Sequence, residues 1–404
     1  MLINADLHIH SRFSGGTSYK MNIKSLSEGA KKKGIHLFAT GDCLHPLWAD
    51  EIKNAGKMEE GIFDVNGTKF ILSTEVEDKN RVHHLILFPS LDAVNSFRNK
   101  LHKHSKNIDR SGRPVIGIEG AEIASAAIDV SALVGPAHAF TPWTAMYAYH
   151  GSLRDCYKDM ASSIHFLELG LSADTDYADR ISELRNVAFL SNSDSHSPSP
   201  IRLAREFNRL EIQYFSWDEI RKAILFRGGR KIVMNAGFPP EEGKYNRTAC
   251  TSCHRQYPVQ EAENMNWKCK CSGTIKKGVK DRVEELADYK KPRHPSGRPP
   301  YIHIIPLAEI IGKSLHFSPL SKTVTERWDD IMKKFGSEIH FLLDADIDEI
   351  RRVTAPAVAA AIMAFRKEDI KVHPGGGGKY GEIEILGDAN VGKSGQRRLI
   401  DWVR

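Results

Sequence analysis

The sequence predicts an α/β fold followed by two smaller units, and three observations carry that reading. Short apolar runs alternate with helix-like stretches from Met1 to about Gly237. Histidines and acids fall at or just after the ends of those runs, where α/β barrels carry their active sites. Past that region the pattern changes, first to a Cys- and Lys-rich segment from about Asn246 to Gly278, then to helical stretches.

The elements follow in order. Leu2 and Ile3 open a strand leading to His8. Ser25 to Lys33 reads as a helix and Leu37 to Thr40 as a strand. Lys69 to Thr74 forms a strand ending at Glu75, and His84 to Phe88 another, before a helix from about Leu91 to His104. Val134 leads to His138, Ile164 to Leu167 leads to Glu168, and Val187 to Leu190 leads to Asp194. Such strand–loop–helix repetition points to a parallel sheet. Beyond about Asp281, helices are predicted over Pro306–Lys313, Val324–Phe335 and Thr354–Arg366. Lys290 to Pro300 reads as a basic loop or linker, because its prolines and glycine break regular structure. The expected domains are 1–237, 238–280 and 281–404.

Bulk properties set limits. A chain of 404 residues with 41% apolar content is long enough for two or three domains. No apolar run reaches the ~18 to 20 residues of a membrane helix. The N-terminus lacks the features of a secretion signal, so a soluble cytoplasmic enzyme is expected. The net charge of +6 permits a polyanionic partner without requiring one.

His8 and His10 form an H-x-H pair, and Asp194 and His196 share that spacing. Residues i and i+2 of a strand point to one face, so each pair can hold one ion. With Asp42, His45, Glu75, His84 and His138, they suit a cluster of two or three divalent ions. Such a cluster can activate water against a phosphoester. His84 is preferred to His83 because it directly heads the apolar run. Asp194, His196 and Glu75 are the expected catalytic residues, with Asp194 as the essential bridging or positioning carboxylate. His36, His102, His104, His150 and His165 lie outside the pattern and read as ordinary surface or structural side chains.

Cys250, Cys253, Cys269 and Cys271 form two close pairs separated by a short loop. Four thiolates so spaced suit a closed, structural zinc site. Nearby lysines and arginines with Tyr257 and Trp267 interleaved favour nucleic-acid contact. Gly387 to Ser394 matches the P-loop pattern, but only ten residues follow it. A nucleotide-binding domain has no room there, so a coincidental turn is expected. His373 to Gly381 holds four consecutive glycines beside Lys379 and Tyr380, which suits a DNA-facing loop.

Several of these stretches resemble the PHP (polymerase and histidinol phosphatase) superfamily: Asp6 to His10, Thr40 to His45, Glu75, His84, Pro136 to His138 and Ser193 to His196. The resemblance implies a distorted (β/α)7 barrel with a trinuclear metal site, and carries ligand roles onto His8, His10, Glu75, His84, His138, Asp194 and His196. Many members have an adjacent Asp-His pair where Asp42 and His45 stand two residues apart, which leaves open which of the two touches metal. The order of barrel, four-cysteine module and helical tail is similar to endonuclease Q, as are Ala137 to Trp143, Glu168 to Asp174 and His373 to Gly381. That resemblance implies a DNA repair nuclease acting at deaminated bases (uracil, hypoxanthine, xanthine) and abasic sites. It would nick 5′ to the lesion and leave 3′-hydroxyl and 5′-phosphate ends. The implied cofactors are structural Zn at the four cysteines and two or three Zn, Mn or Mg ions in the barrel. Phe140, Trp143, Tyr147, Asp174, Lys379 and Tyr380 are candidates for contact with DNA or the lesion, with Arg202 and Arg205 as further guesses. Whether a sliding clamp binds the chain stays open. The competing readings are a small-molecule phosphatase like histidinol phosphatase and a non-catalytic zinc-dependent DNA-binding protein.

Overall fold

The computed structural model describes residues 1–385. The P-loop-like segment at 387–394 lies outside the described residues. The strands up to Gly237 are β1 (Leu2–Asp6), β2 (Leu37–Ala39), β3 (Lys57–Glu59), β4 (Ile62–Val65), β5 (Thr68–Glu77), β6 (His83–Phe88), β7 (Leu133–Pro136), β8 (Phe166–Glu168), β9 (Ala188–Leu190), β10 (Phe207–Glu211) and β11 (Lys231–Gly237). β1, β2 and β5 pair in parallel, and so do β8 and β9. A parallel bridge from Ile9 to Ser195 joins the extension of β1 to that of β9. The α/β class holds, but the sheet is mixed rather than wholly parallel. β6 runs antiparallel to both β5 and β7, and β10 antiparallel to both β1 and β11. The short connection between β5 and β6 explains why that pair is antiparallel, since a few residues can join antiparallel strands but not parallel ones.

β1, β2, β5 and β6 bury nearly every side chain, as strands covered on both faces do. Helix Ile23–Lys33 starts where Asn22 accepts the Ser25 amide and ends at Gly34, whose φ of 87° favours glycine. Helix Leu91–His102 is capped by Ser90 in the same way.

The four-cysteine unit is small. Its hairpin, β12 (Ala249–Cys250) with β13 (Ile275–Lys276), surrounds a separate minor core that includes Tyr257, Ala262 and Ile275. The expected boundary at 280/281 falls inside a helix, Val279–Leu286. The basic linker after it is pinned to the barrel. Arg298 lies buried with its guanidinium on the Asp179 carboxylate at 2.9 Å and 3.6 Å from the centre of the Phe189 ring.

The last region is not purely a helical appendage. β14 (Tyr301–His303) pairs in parallel with β11 and extends the barrel sheet. Helices Leu307–Ser314, Lys322–Phe335 and Pro356–Arg366 follow, close to where the sequence puts them. Lys33 ties them to the barrel by a buried ion pair with Glu338 at 2.5 Å. The chain then returns as a hairpin, β15 (Ile370–His373) with β16 (Glu382–Ile385), whose glycine loop lies against the four-cysteine unit. No helix among the described residues is long and apolar enough to cross a membrane.

Candidate metal centre and cavity

Glu75, near the end of β5, is the hub of the site. Its Oε1 lies 2.9 Å from His138 Nε2 and 2.8 Å from His83 Nδ1, and its Oε2 lies 3.3 Å from His10 Nε2. Asp194 Oδ1 faces it, 3.3 Å from His10 Nε2, 3.5 Å from His196 Nε2 and 3.8 Å from His8 Nε2. These groups come from different strands and meet at one end of the barrel.

The outward nitrogen of most of these imidazoles is already held. Glu168 takes His8 Nδ1 at 2.9 Å, Asp42 takes His10 Nδ1 at 3.0 Å, Glu77 takes His83 Nε2 at 3.1 Å and Thr17 takes His196 Nδ1 at 2.6 Å. A partner on one nitrogen fixes the ring and aims the other, as metal-binding histidines require. The inward atoms His8 Nε2, His10 Nε2 and Asp194 Oδ1 are buried without a hydrogen-bond partner. Such orphaned polar atoms are costly unless something satisfies them, and a divalent cation fits this set of ligand atoms. Burial alone would push His8 down; Glu168, then Glu75 and Asp194, outweigh it and lift it to about 9. A site that holds protons so tightly has a surplus of negative field for cations. Asp42, His138 and Asp194 have φ of 49°, 30° and 45°. Non-glycine residues rarely adopt such backbone, and it clusters at functional sites.

Two ligand expectations are corrected. His83, not His84, joins Glu75 and His138. His84 turns the other way, its Nε2 3.3 Å from Asp78 Oδ2 and its Nδ1 2.8 Å from the Tyr157 hydroxyl. Strand register explains it. Glu77 pairs with His83 across the hairpin and Val76 with His84, so only His83 shares the face of Glu75 and Glu77. The split Asp42/His45 pair stands outside the hub as well. Asp42 supports His10 and also accepts from the Ser11 amide and from the hydroxyls of Ser11 and Ser14. The His45 ring stacks 4.1 Å from that of Phe13.

A cavity of about 330 Å³ opens onto this hub. Its lining includes Arg113, Trp143, Arg202, Arg205, Tyr245 and Tyr380. The Trp143 and Tyr245 rings meet edge to face at 4.5 Å, Lys276 Nζ lies 4.9 Å over Trp143, and Lys244 Nζ lies between Tyr245 and Tyr380 at 5.4 and 5.8 Å. Of the residues expected to contact DNA or the lesion, Trp143, Tyr380, Arg202 and Arg205 line this cavity. Phe140 and Tyr147 do not: both are buried and stack on each other at 5.0 Å, with the Tyr147 hydroxyl on Glu183. Asp174 caps helix Thr175–Ala178 and pairs with His303. Lys379 lies on the surface near Glu382. Sequence reasoning gave no role to Glu168, Arg113, Glu242, Tyr245 or Glu309. Glu168 alone had a signal, its place at a strand end.

The four cysteine sulfurs group together, with Cys250 and Cys271 3.5 Å apart and Cys253 and Cys269 3.6 Å apart. Four sulfurs each about 2.3 Å from one ion would be separated by about 3.8 Å, so the knot suits one metal ion. The Cys271 amide and the Tyr257 hydroxyl hold the Cys269 thiol down at about 6.

The chain is similar to several known proteins. Residues 306–369 match the family described as the MJ0043 C-terminal domain. The chain is 48% identical over 252 residues to MJ0043 of Methanocaldococcus jannaschii, a match covering 61% of this chain and 31% of that longer one. It is 34% identical to YqxK of Bacillus subtilis over 95% of this chain and 99% of the other. Its structure superposes at a TM-score of 0.91 on the lesion-specific endonuclease PfuEndoQ from Pyrococcus furiosus, with 50% identity over 95% of this chain and 96% of that one. The score and identity are the same for endonuclease Q bound to a 27-mer duplex with an abasic lesion at the active site, over 95% of this chain and 97% of that one. With half its residues identical over nearly the whole of both chains, this chain belongs to the endonuclease Q family.

Proposed function

We propose that the chain is a metal-dependent DNA repair endonuclease. It nicks the strand 5′ to uracil, hypoxanthine, xanthine or an abasic site and leaves 3′-hydroxyl and 5′-phosphate ends. The observation that carries this reading is the cluster of inward-aimed, unsatisfied donors at the floor of an aromatic, basic cavity. Two or three Zn, Mn or Mg ions on His8, His10, Glu75, His83, His138, Asp194 and His196 would supply a water of lowered pKa and neutralise phosphate charge. Zinc is proposed for the four cysteines, in a closed structural site.

The chain's own side chains do the rest. Glu168, Asp42, Glu77 and Thr17 keep the imidazoles of His8, His10, His83 and His196 aimed at the hub. Arg113, Arg202 and Arg205 present guanidiniums that match phosphate oxygens. Trp143, Tyr245 and Tyr380 form the wall against which an extruded base can stack. About 330 Å³ lies at the small end of the range for small-ligand pockets, which fits one nucleotide rather than a stretch of duplex. Deaminated bases pair poorly and abasic sites do not pair, so extrusion costs least there.

The test is a duplex carrying a single deoxyuridine, incubated with the protein and Mn or Mg. A nick on the 5′ side of the uracil, absent from the undamaged duplex and lost in Asp194→Ala, is the expected result. Release of phosphate from histidinol phosphate without DNA cleavage would overturn the assignment.

A further inference from the structure

At the opposite pole of the barrel, a second cavity of about 400 Å³ lies where β7 and β8 begin, beside helix Trp217–Ile224. It is separated from the metal centre by the length of those strands, since His138 follows the end of β7 and Glu168 ends β8. Arg221, Arg227, His165, Ser131, Ser163 and Trp217 line it, with aliphatic side chains from the start of β7 behind them.

The charges there are unbalanced. Neither Arg221 nor Arg227 has an ion pair, side-chain hydrogen bond or ring contact among the described residues. The one carboxylate of the lining, Asp218, is taken by Lys222 at 2.6 Å. Burial and then the charges of Arg227 and Arg221 keep the His165 imidazole below its ordinary value, so both guanidiniums lie near enough to repel its proton. Arginine forks without a carboxylate are suited to oxyanions, above all phosphate. The hydroxyls of Ser131 and Ser163 add donors, and Trp217 with the aliphatic wall adds a surface for a flat apolar group.

We propose that this cavity is a second binding site, separate from the metal centre, for a small phosphate-bearing ligand of nucleotide size. The phosphate sits between Arg221 and Arg227 with His165 beside it, and the ring system lies toward Trp217. A bare phosphate would leave most of the 400 Å³ unfilled. Duplex DNA is too thick to enter the cavity and could only lie across its mouth.

The experiment is calorimetric titration of the metal-loaded full chain with deoxyadenosine monophosphate, deoxyadenosine and inorganic phosphate. Deoxyadenosine monophosphate should give two binding events on the wild type, one at each pole. Arg221→Gln/Arg227→Gln should lose one event, or weaken it at least tenfold, and keep the other. Its melting temperature without ligand should be unchanged, because neither side chain has a partner to lose. Deoxyadenosine should show no event sensitive to the arginines, and inorganic phosphate a weaker one. Quenching of Trp217, absent in Trp217→Phe, should accompany the arginine-dependent event. Identical isotherms for wild type and double variant overturn the proposal. So does a double variant whose only defect is weaker binding of duplex DNA, which would make the arginines a DNA contact.

Discussion

A single side chain's facing decides the chemistry at β6, and two adjacent histidines make that testable. His83 lies on the Glu75 face and His84 on the other, packed among Asp78, Tyr157 and Cys156. His83→Ala should lose barrel metal and nicking with little change in folding. His84→Ala should do the reverse, keeping metal but costing about 2–3 kcal/mol by leaving a void and an unpaired carboxylate. Metal analysis alongside thermal melting separates them, and equal metal loss in both variants would reject the register argument. Glu168→Gln probes the layer behind. It keeps the shape but weakens the hold on His8 Nδ1, and partners of this kind typically cost roughly 10–100-fold in metal affinity or activity. A competition assay with a metal indicator would read that loss.

At the level of elements, what the sequence reveals and what it hides have the same physical origin. Local signals were legible: Asn22 and Gly34 bracket the first helix, and the tail helices lie within a few residues of their apolar periodicity. The acids and histidines at strand ends were legible too, because a sheet of this class gathers strand ends at one rim. Register was not, because it depends on which strand becomes the neighbour, and a slip of one residue swaps the two faces. That is why His84 read as a ligand and why the antiparallel strands went unseen. The aromatic residues after His138 were ambiguous for a related reason. Phe140 and Tyr147 turn into the core while Trp143 turns out, a choice made by tertiary packing.

Helix Leu307–Ser314 carries a further consequence. Its Glu309 is buried at the cavity, and burial pushes the carboxyl up to about 8 despite the nearby Arg202, Arg205, Lys313 and Lys33. A carboxyl raised from an ordinary 4.5 to about 8 holds a proton in the folded state that the unfolded chain has lost. Stability must therefore fall as pH rises through that window, by up to ~1.4 kcal/mol per pH unit. Glu309→Gln mimics the protonated form and should flatten that part of the slope, with its advantage over wild type growing toward pH 8 and then levelling. Denaturant titrations across the window would show it, and parallel curves for the two proteins would sink it.

Across the whole molecule, the glycine loop runs from the four-cysteine knot to the cavity wall. Gly376 bridges Arg247, His254 Nδ1 meets the Gly377 carbonyl at 3.0 Å, and the Gly378 amide donates to the Lys244 carbonyl at 2.8 Å. Gly377 has φ of 62°, and a side chain there would press its Cβ against the Cys250 carbonyl. The loop thus seats on the knot through its own backbone atoms, met by the His254 and Gln256 side chains, and a few residues later the chain delivers Tyr380 to the cavity wall. Under the proposed function, disturbing the knot should loosen lesion binding without touching the barrel. Cys253→Ser should lose the knot's metal and at least tenfold in affinity for a duplex with an abasic site, while metal binding at Asp194 persists. Gly377→Ala is the sharper case. The left-handed backbone costs a non-glycine residue roughly 1–2 kcal/mol, and the close carbonyl adds to it. Its cysteine site should stay loaded, yet Tyr380 should be displaced and lesion affinity should drop. Zinc content measured beside fluorescence anisotropy distinguishes the two outcomes. A Gly377→Ala protein that binds abasic DNA as tightly as wild type would show that the knot supports itself and not the cavity.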